Sequence, residues 1–361
     1  MKILVTGGAG YIGSHTVIEL INAGHEPVIV DNFCNSRRSV LDGLAAIAGR
    51  DVPCHEGDCC DVDLMRDVFA QQGDIQGAVH FAALKAVGES MEKPDEYRRN
   101  NVGSLEVLMQ VMQECRAPYL VFSSSACVYG DADELPVTEA TPLKPPASPY
   151  GETKQTCEAV IQTAVNSGRS FQAVSLRYFN PIGAHPSARI GELPLGIPNN
   201  LVPYVTQTAA GVLEQLTVFG NDYDTPDGTP IRDYIHVVDL ARAHVDALNY
   251  LTSAPARQCP RVPGVAGQQQ AGEPGSYAVF NLGTGRGNSV MEVIRAFEEV
   301  SGVKLNYVIG PRRAGDVEAL YANADKAANE LGWKARLTLA DALRDAWEWQ
   351  CNLGIGHSFG I

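Results

Sequence analysis

The stretch Thr6-Gly7-Gly8-Ala9-Gly10-Tyr11-Ile12-Gly13 constrains this chain more than any other. It follows the apolar run Ile3 to Val5 directly and opens into a helix-like run from Ser14 to Asn22. Gly8, Gly10 and Gly13 have the spacing of a dinucleotide fingerprint, in which missing side chains permit a tight turn, close approach of a pyrophosphate and tight helix–strand packing. The helix N-terminus then faces the phosphates with unpaired N–H groups and a positive dipole end. By themselves the glycines describe only a strand–helix turn. Asp31, closing the next apolar run 18 residues after Gly13, makes the context specific. An acidic side chain there accepts bonds from ribose hydroxyls and repels a 2′-phosphate, so it selects NAD over NADP.

Further apolar runs at Val28 to Val30, Ala78 to Phe81 and Tyr119 to Phe122 alternate with helical stretches. That alternation predicts right-handed βαβ units and an α/β fold of Rossmann type, a doubly wound parallel sheet covered on both faces. Near Asn180-Pro181 the pattern changes, and Gly, Pro and Asn clusters through Gly183 to Pro203 suggest a smaller α/β substrate domain. We therefore expect an NAD-binding domain over 1–180 and a second, looser, mainly substrate-binding domain over 181–361, with segments near 233–250 and 277–285 returning to the first. Ala254 to Gly275, rich in Pro, Gln and Gly, reads as an exposed loop. From Val102 to Met112 apolar residues surround nearly the whole helix circumference, which requires burial on all sides. Either one chain encloses that helix, or part of it meets a second subunit.

The charge balance, 28 basic against 42 acidic residues and a net charge of -14, supplies no basic stripe for nucleic acid. No segment has the roughly 18 apolar residues that a membrane span needs. Met1 to Thr6 runs straight into the glycines without a secretory leader pattern. The nine cysteines are scattered, and Cys59-Cys60 lacks the second cluster of a zinc site, so we expect no metal and reduced thiols that mostly fill the core.

Tyr150 and Lys154 stand four residues apart in a helical stretch ending near Val165, which puts them on one helix face. An ammonium close to a phenol favours the phenolate and lowers a pKa that starts near 10. Phe122-Ser123-Ser124-Ser125 lies at the carboxyl end of a strand, where open α/β sheets bind ligands, and Ser125 can share a proton with Tyr150. Each element alone is more often a solvated helix face or a plain loop. Their joint occurrence behind a dinucleotide fold reverses that balance.

These stretches resemble the extended short-chain dehydrogenase/reductase family, in its UDP-sugar 4-epimerase branch, along nearly the whole chain. The resemblance is carried by Val5 to His15, Asp31 to Ser36, Phe81 to Ser90, Ser123 to Gly130, Ser148 to Gly151, Leu176 to Pro181, Gly196 to Pro203, Phe219 to Tyr223 and Arg232 to His236. It implies interconversion of UDP-galactose and UDP-glucose through a 4-keto intermediate, by reversible hydride transfer to bound NAD, in a cytoplasmic homodimer of galactose metabolism. It places Tyr150, Lys154 and Ser125 at the reacting carbon. It assigns the cofactor to Gly7, Gly10, Tyr11, Ile12, Gly13, Asp31, Asn32, Phe33, Cys34, Asn35, Ser36, Asp58 and Cys59. Phe81, Ala82, Ala83, Leu84, Lys85, Asn100, Ser125, Tyr150, Lys154 and Phe179 complete that pocket.

For the substrate the resemblance implies Lys85, Ser125, Tyr150, Asn180, Asn199, Asn200, Leu201, Thr217, Val218, Phe219, Arg232, Arg313, Asp316 and Leu320. Phe219 should lie against uracil, and guanidinium groups at Arg232 and Arg313 suit a diphosphate. The chain departs from the family at Cys127, where threonine is usual, and in the length of the Ala254 to Gly275 loop. Leu320 holds a sugar-pocket position that varies in the family between a large aromatic and a small residue. The nearest alternative is a nucleotide-sugar 4,6-dehydratase or decarboxylase, but dehydratases carry an acidic pair where this chain has Ala126-Cys127. A scaffolding protein with a decayed NAD site is the other alternative, and the intact Ser125, Tyr150 and Lys154 argue against it.

Overall fold

The computed structural model describes residues 1–167, 171–253, 275–313 and 316–358. Its first half contains β1 (Lys2–Thr6), α1 (Tyr11–Asn22), β2 (Glu26–Asp31), α2 (Ser39–Ala48), β3 (Cys54–Glu56), α3 (Val62–Gln72), β4 (Ile75–His80), α4 (Val87–Glu92), α5 (Pro94–Glu114), β5 (Tyr119–Ser125), α6 (Pro149–Asn166) and β6 (Gln172–Tyr178). The second half adds β7 (Asn180–Ile182), α7 (Leu201–Ala209), β8 (Leu216–Phe219), β9 (Ile231–His236), α8 (Val237–Ser253), β10 (Ser276–Leu282), β11 (Gly287–Ser289), α9 (Val290–Ser301), β12 (Tyr307–Gly310), β13 (Ala319–Leu320) and α10 (Leu339–Ser358).

Seven parallel strands form the main sheet in the order β10-β6-β5-β4-β1-β2-β3. This is the Rossmann-type sheet expected from the alternating pattern. Both faces are buried, so its strands read as continuous apolar runs. Along β1, Ile3 and Val5 pack into the core on one face while Leu4 packs into the core on the other, following the period of two that a strand imposes. Strand order reverses between β1 and β4, and the crevice outside their carboxyl ends is the ligand-binding position of such sheets. β10 arrives from the far end of the sequence to pair with β6, from Ser276 opposite Gln172 to Leu282 opposite Tyr178.

The remaining strands form a smaller unit. β7, β11 and β13 all pair with β9, β8 pairs with β12, and Val205, Val293, Ile294, Phe297 and Leu343 supply fully buried core. Ser289 starts α9 with a reciprocal cap, since its hydroxyl accepts from Glu292 N–H while the Glu292 carboxylate accepts from Ser289 N–H.

Three details differ from the sequence reading. The helix expected from Ser14 begins at Tyr11, because Gly10 caps it without a side-chain hydrogen bond and so leaves no polar start signal. Phe81 falls just past β4, although its N–H still bonds to the Thr6 carbonyl at 3.0 Å. The cysteines are not mostly core fillers: of the eight described, Cys59 and Cys157 are buried, whereas Cys34, Cys115 and Cys351 are exposed. Composition cannot say which face of an element a thiol occupies.

The apolar helix α5 is enclosed largely by its own chain. Leu105, Leu108, Met109, Val111 and Met112 are buried against α3, α6 and the sheet, and Glu106 and Gln110 form the exposed edge. The loop read at Ala254 to Gly275 lies, except for Gly275, outside the described residues.

Candidate active site

The glycine turn is shaped by contacts that leave no room for side chains. Gly7 adopts a positive φ of 68°, and a Cβ there would stand 2.8 Å from the Ala82 nitrogen. At Gly13 a Cβ would stand 2.2 Å from the Gly7 carbonyl oxygen, so the first turn of α1 rests directly on the loop. With no side-chain cap at Gly10 and no acidic residue in its first turn, α1 directs free N–H groups and its positive end into the crevice. That cradle fits a pyrophosphate.

At the end of β2 the buried Asp31 carboxylate accepts from Ala9 N–H at 3.0 Å, Phe33 N–H at 2.8 Å and Ser36 Oγ at 3.2 Å. It thereby ties the glycine turn to the Asn32 to Ser36 loop, where Phe33 has a positive φ of 56° and lies under the Arg38 guanidinium at 4.9 Å. Asp58 accepts from Cys60 N–H at 2.9 Å, beside the buried Cys59. These groups cluster where the adenosine side of a dinucleotide is expected, and the Asp31 carboxylate suits the ribose hydroxyls of NAD.

Asn101, which the sequence reading missed, holds the opposite lip. Its amide oxygen accepts from Leu84 N–H and Asn100 Nδ2 at 2.8 and 3.0 Å, and its Nδ2 donates to the Leu84 carbonyl and Thr153 Oγ1, each at 3.0 Å. The Phe81 to Lys85 loop is thus fixed against α6. Glu192 was also missed. Its carboxylate accepts from Asn200 Nδ2 at 2.6 Å and lies 3.5 Å from Lys85 Nζ, joining two expected substrate contacts across the cleft. A buried amide in a helix and a lone glutamate in a loop carry no local pattern that would reveal these links.

Ser125 ends β5, and Tyr150 and Lys154 lie on the first turns of α6, started by Ser148 Oγ accepting from Gly151 N–H and by Pro149. Lys154 is buried, donates to the Ser123 carbonyl at 2.7 Å, and has its Nζ 5.8 Å from the Tyr150 ring centroid. The direction of the phenol's shift differs from the expectation. Burial pushes Tyr150 well above its ordinary pKa, partly opposed by a hydrogen bond with Ser125. Burial likewise pulls Lys154 down, opposed by Cys157, Cys127 and Glu158. A phenolate here therefore needs a further positive charge close by, which an oxidised nicotinamide ring carries.

Across the cleft, Arg313 bridges to Asp316 at 2.9 and 3.1 Å, Arg232 lies 3.7 Å from the same carboxylate, and the Arg313 guanidinium stands 6.0 Å from the exposed Phe219 ring. Four residues expected at the nucleotide end of a substrate thus converge. Asn180, Asn199 and Asn200 are exposed, Asn200 directly precedes α7, and Leu201 packs on the core of the smaller unit. Thr217 is part-exposed on β8, whereas the Val218 side chain is buried in the core of the smaller unit. Leu320 pairs with Arg232 across β13 and β9 and packs beside Ala126, Val128 and Phe179.

Sheet, phosphate cradle and Tyr–Lys helix define an NAD-binding protein of the extended short-chain dehydrogenase/reductase type. Comparison with known proteins narrows this. The NAD dependent epimerase/dehydratase family matches residues 3–258, and the chain belongs to that family. It is similar to the UDP-glucose 4-epimerase of Dictyostelium discoideum, 48% identical over 357 residues that cover 99% of this chain and 98% of the relative. A crystal structure of UDP-glucose 4-epimerase from Stenotrophomonas maltophila, with NAD and formylated UDP-arabinopyranose, matches with a TM-score of 0.90 at 45% identity, covering 99% of both chains. The Bifidobacterium longum enzyme with NAD+ and UDP matches with a TM-score of 0.89 at 46% identity, over 99% of this chain and 100% of that one.

Proposed function

We propose that this chain is a UDP-glucose 4-epimerase that interconverts UDP-galactose and UDP-glucose. The observation that carries the reading is the packing of Leu320, the cross-strand neighbour of Arg232, against Ala126 and Phe179, directly beside Ser125 of the Ser125–Tyr150–Lys154 set. The full-length likeness to UDP-glucose 4-epimerases supports the same reading. NAD, held by the glycine turn, Asp31 and the Phe81 to Lys85 loop, would supply the acceptor for the hydride of the sugar 4-carbon and the donor for its return. Tyr150 takes the proton of the sugar 4-hydroxyl as phenolate and later gives it back, and Ser125 shares that proton through its hydroxyl. Lys154, fixed by the Ser123 carbonyl, holds positive charge beside the phenol. Arg232 and Arg313 grip the diphosphate and Phe219 stacks on uracil, while the flat 4-keto sugar turns over and presents its other face. Ala126 and Cys127 offer no acid for water elimination, so the dehydratase alternative is not favoured.

In this reading residues 1–180 hold NAD and 181–361 mainly hold the sugar nucleotide, with α8 and β10 packed on the first unit. We place the enzyme in the cytoplasm, in keeping with the finding that among the described residues no helix is long and apolar enough to cross a membrane. A second copy is the proposed partner, and light scattering of the purified protein measures it. The decisive test incubates purified protein with UDP-galactose and no added cofactor. UDP-glucose should appear, and its absence from NAD-loaded protein sinks the reading. Tyr150→Phe keeps the ring and removes the proton acceptor, so turnover should fall roughly 10²–10⁴-fold, and near-normal turnover would show that the base is another group.

A further inference from the structure

Tyr150, Lys154 and Glu158 lie at successive i, i+4 positions, so they form one stripe along α6. The far end of that stripe is anchored in the sheet. Glu158 accepts from Ser124 Oγ at 2.5 Å and from Arg177 through Nε at 2.9 Å and Nη2 at 2.5 Å. Both charged side chains are nine-tenths or more buried, at 7% and 6% exposed. Ser124 and Arg177 are cross-strand partners on β5 and β6, and Asn281 partners Arg177 from β10. Arg177 Nη1 donates to the Tyr129 hydroxyl at 3.1 Å, which donates to Asn281 Oδ1 at 2.6 Å. One carboxylate on the reacting helix is therefore locked, through a guanidinium fork, to three neighbouring strands.

A buried ion pair is weak evidence for stability, because desolvating both charges offsets most of their attraction and well-packed apolar residues do as well. What such a pair does supply is a single geometry. Here it fixes the rotation and height of α6 against β5, whose next residue is Ser125. We propose that Glu158 and Arg177 are positioning residues for the epimerisation, holding Tyr150 and Lys154 in register with Ser125 and setting the charge beneath them. This deepens the function proposed above and rests on it.

Tyr150 feels Cys127 after β5, Tyr178 on β6 and Tyr97 on α5, with Ser125, whereas Lys154 feels Cys157 and Glu158 on α6 and Cys127. Burial raises Cys127 to about 11 and Cys157 to about 12, and raises both tyrosines, so all four are neutral near pH 7. His80 on β4, which feels Lys154, is lowered to about 3 by burial and is neutral as well. Glu158 is the carboxylate of the set, paired with the Arg177 guanidinium.

Three variants test this, each read per NAD-loaded molecule. Glu158→Gln removes the anion and leaves Arg177 charged, so Lys154 loses its proton at lower pH and Tyr150 ionises at lower pH. Its kcat should fall roughly 10- to 100-fold, the scale of a misplacement on the order of 1 Å, with KM changed far less and both limbs of the pH–rate profile moved acid-ward. Arg177→Lys keeps the charge but not the fork, so kcat should fall while the limbs stay. Ser124→Ala, the mildest change, keeps both charges and should lower kcat several-fold at nearly unchanged Tm.

Tyr150 ionisation is also read without substrate, as the phenolate absorbance difference between each protein and its Tyr150→Phe counterpart. That titration decides the charge-setting role even if wild type fails to convert UDP-galactose, an outcome that would refute the proposed function instead. Normal kcat and an unmoved Tyr150 titration in Glu158→Gln and Ser124→Ala overturn the inference. So does a loss of folded protein with full turnover in what remains.

Discussion

Gly10 and Gly13 stand in the same turn but do different jobs, and one methyl group separates them. A Cβ at Gly13 lands 2.2 Å from the Gly7 carbonyl oxygen and 2.9 Å from Gly8 Cα, both backbone atoms that cannot swing aside. To reach the 3.0 Å floor that real Cβ atoms respect, α1 has to retreat by about 0.8 Å from the loop, an overpacking that costs ~1–3 kcal/mol. A Cβ at Gly10 meets only the Gly7 carbonyl oxygen at 3.1 Å, which a small shift relieves, and otherwise projects into the crevice.

Gly13→Ala should therefore lower the Tm of NAD-stripped protein by several degrees. Gly10→Ala should leave that Tm within about a degree, yet weaken NAD by ~1–3 kcal/mol, roughly 5- to 150-fold in Kd, by crowding the pyrophosphate. Calorimetry of stripped protein gives the first quantity and fluorescence titration with NAD the second. If Gly10→Ala binds NAD as tightly as wild type, the phosphates do not sit against this turn. Equal Tm losses in the two variants would mean that the contact geometry does not separate folding from binding.

Asp31→Asn leaves its three donors one anionic acceptor short, so it should cost about 1–3 kcal/mol and also narrow the preference for NAD over NADP, as competition for reloading stripped protein measures; an unchanged NAD to NADP ratio refutes the assignment. Leu320→Ala should raise kcat/KM for UDP-N-acetylglucosamine relative to UDP-glucose, by up to about two orders of magnitude if overpacking of ~1–3 kcal/mol is what excludes the acetamido group. A constant ratio between the sugar pairs means that Leu320 does not gate the pocket.

What could be read from the sequence is what short-range chemistry encodes. The turn Thr6 to Gly13, the acid at Asp31 and the Tyr150–Lys154 pair each sit within a few residues of the element that gives them meaning. What could not be read depends on partners brought together by topology. Asn101 reaches Thr153 across 52 residues, and Glu192 reaches Lys85 across 107. Arg177 was legible as part of Leu176 to Pro181, but nothing local says that it faces Glu158 on α6 and not a ligand phosphate. The rise of the Tyr150 pKa was missed for a related reason: spacing places Lys154 on the same face, whereas burial and the commitment of its ammonium to Ser123 emerge only in three dimensions.

The late arrival of β10 has a consequence for how the chain is made. Its seven residues complete the large sheet by covering β6, and they are synthesised about a hundred residues after it; at 5–20 residues per second, that edge emerges ~5–20 s before its partner. An uncovered strand edge is a template for pairing with other chains. A nascent or truncated chain ending near residue 180 therefore presents an open, apolar sheet margin, and a fragment cut there should aggregate where the intact chain stays monodisperse.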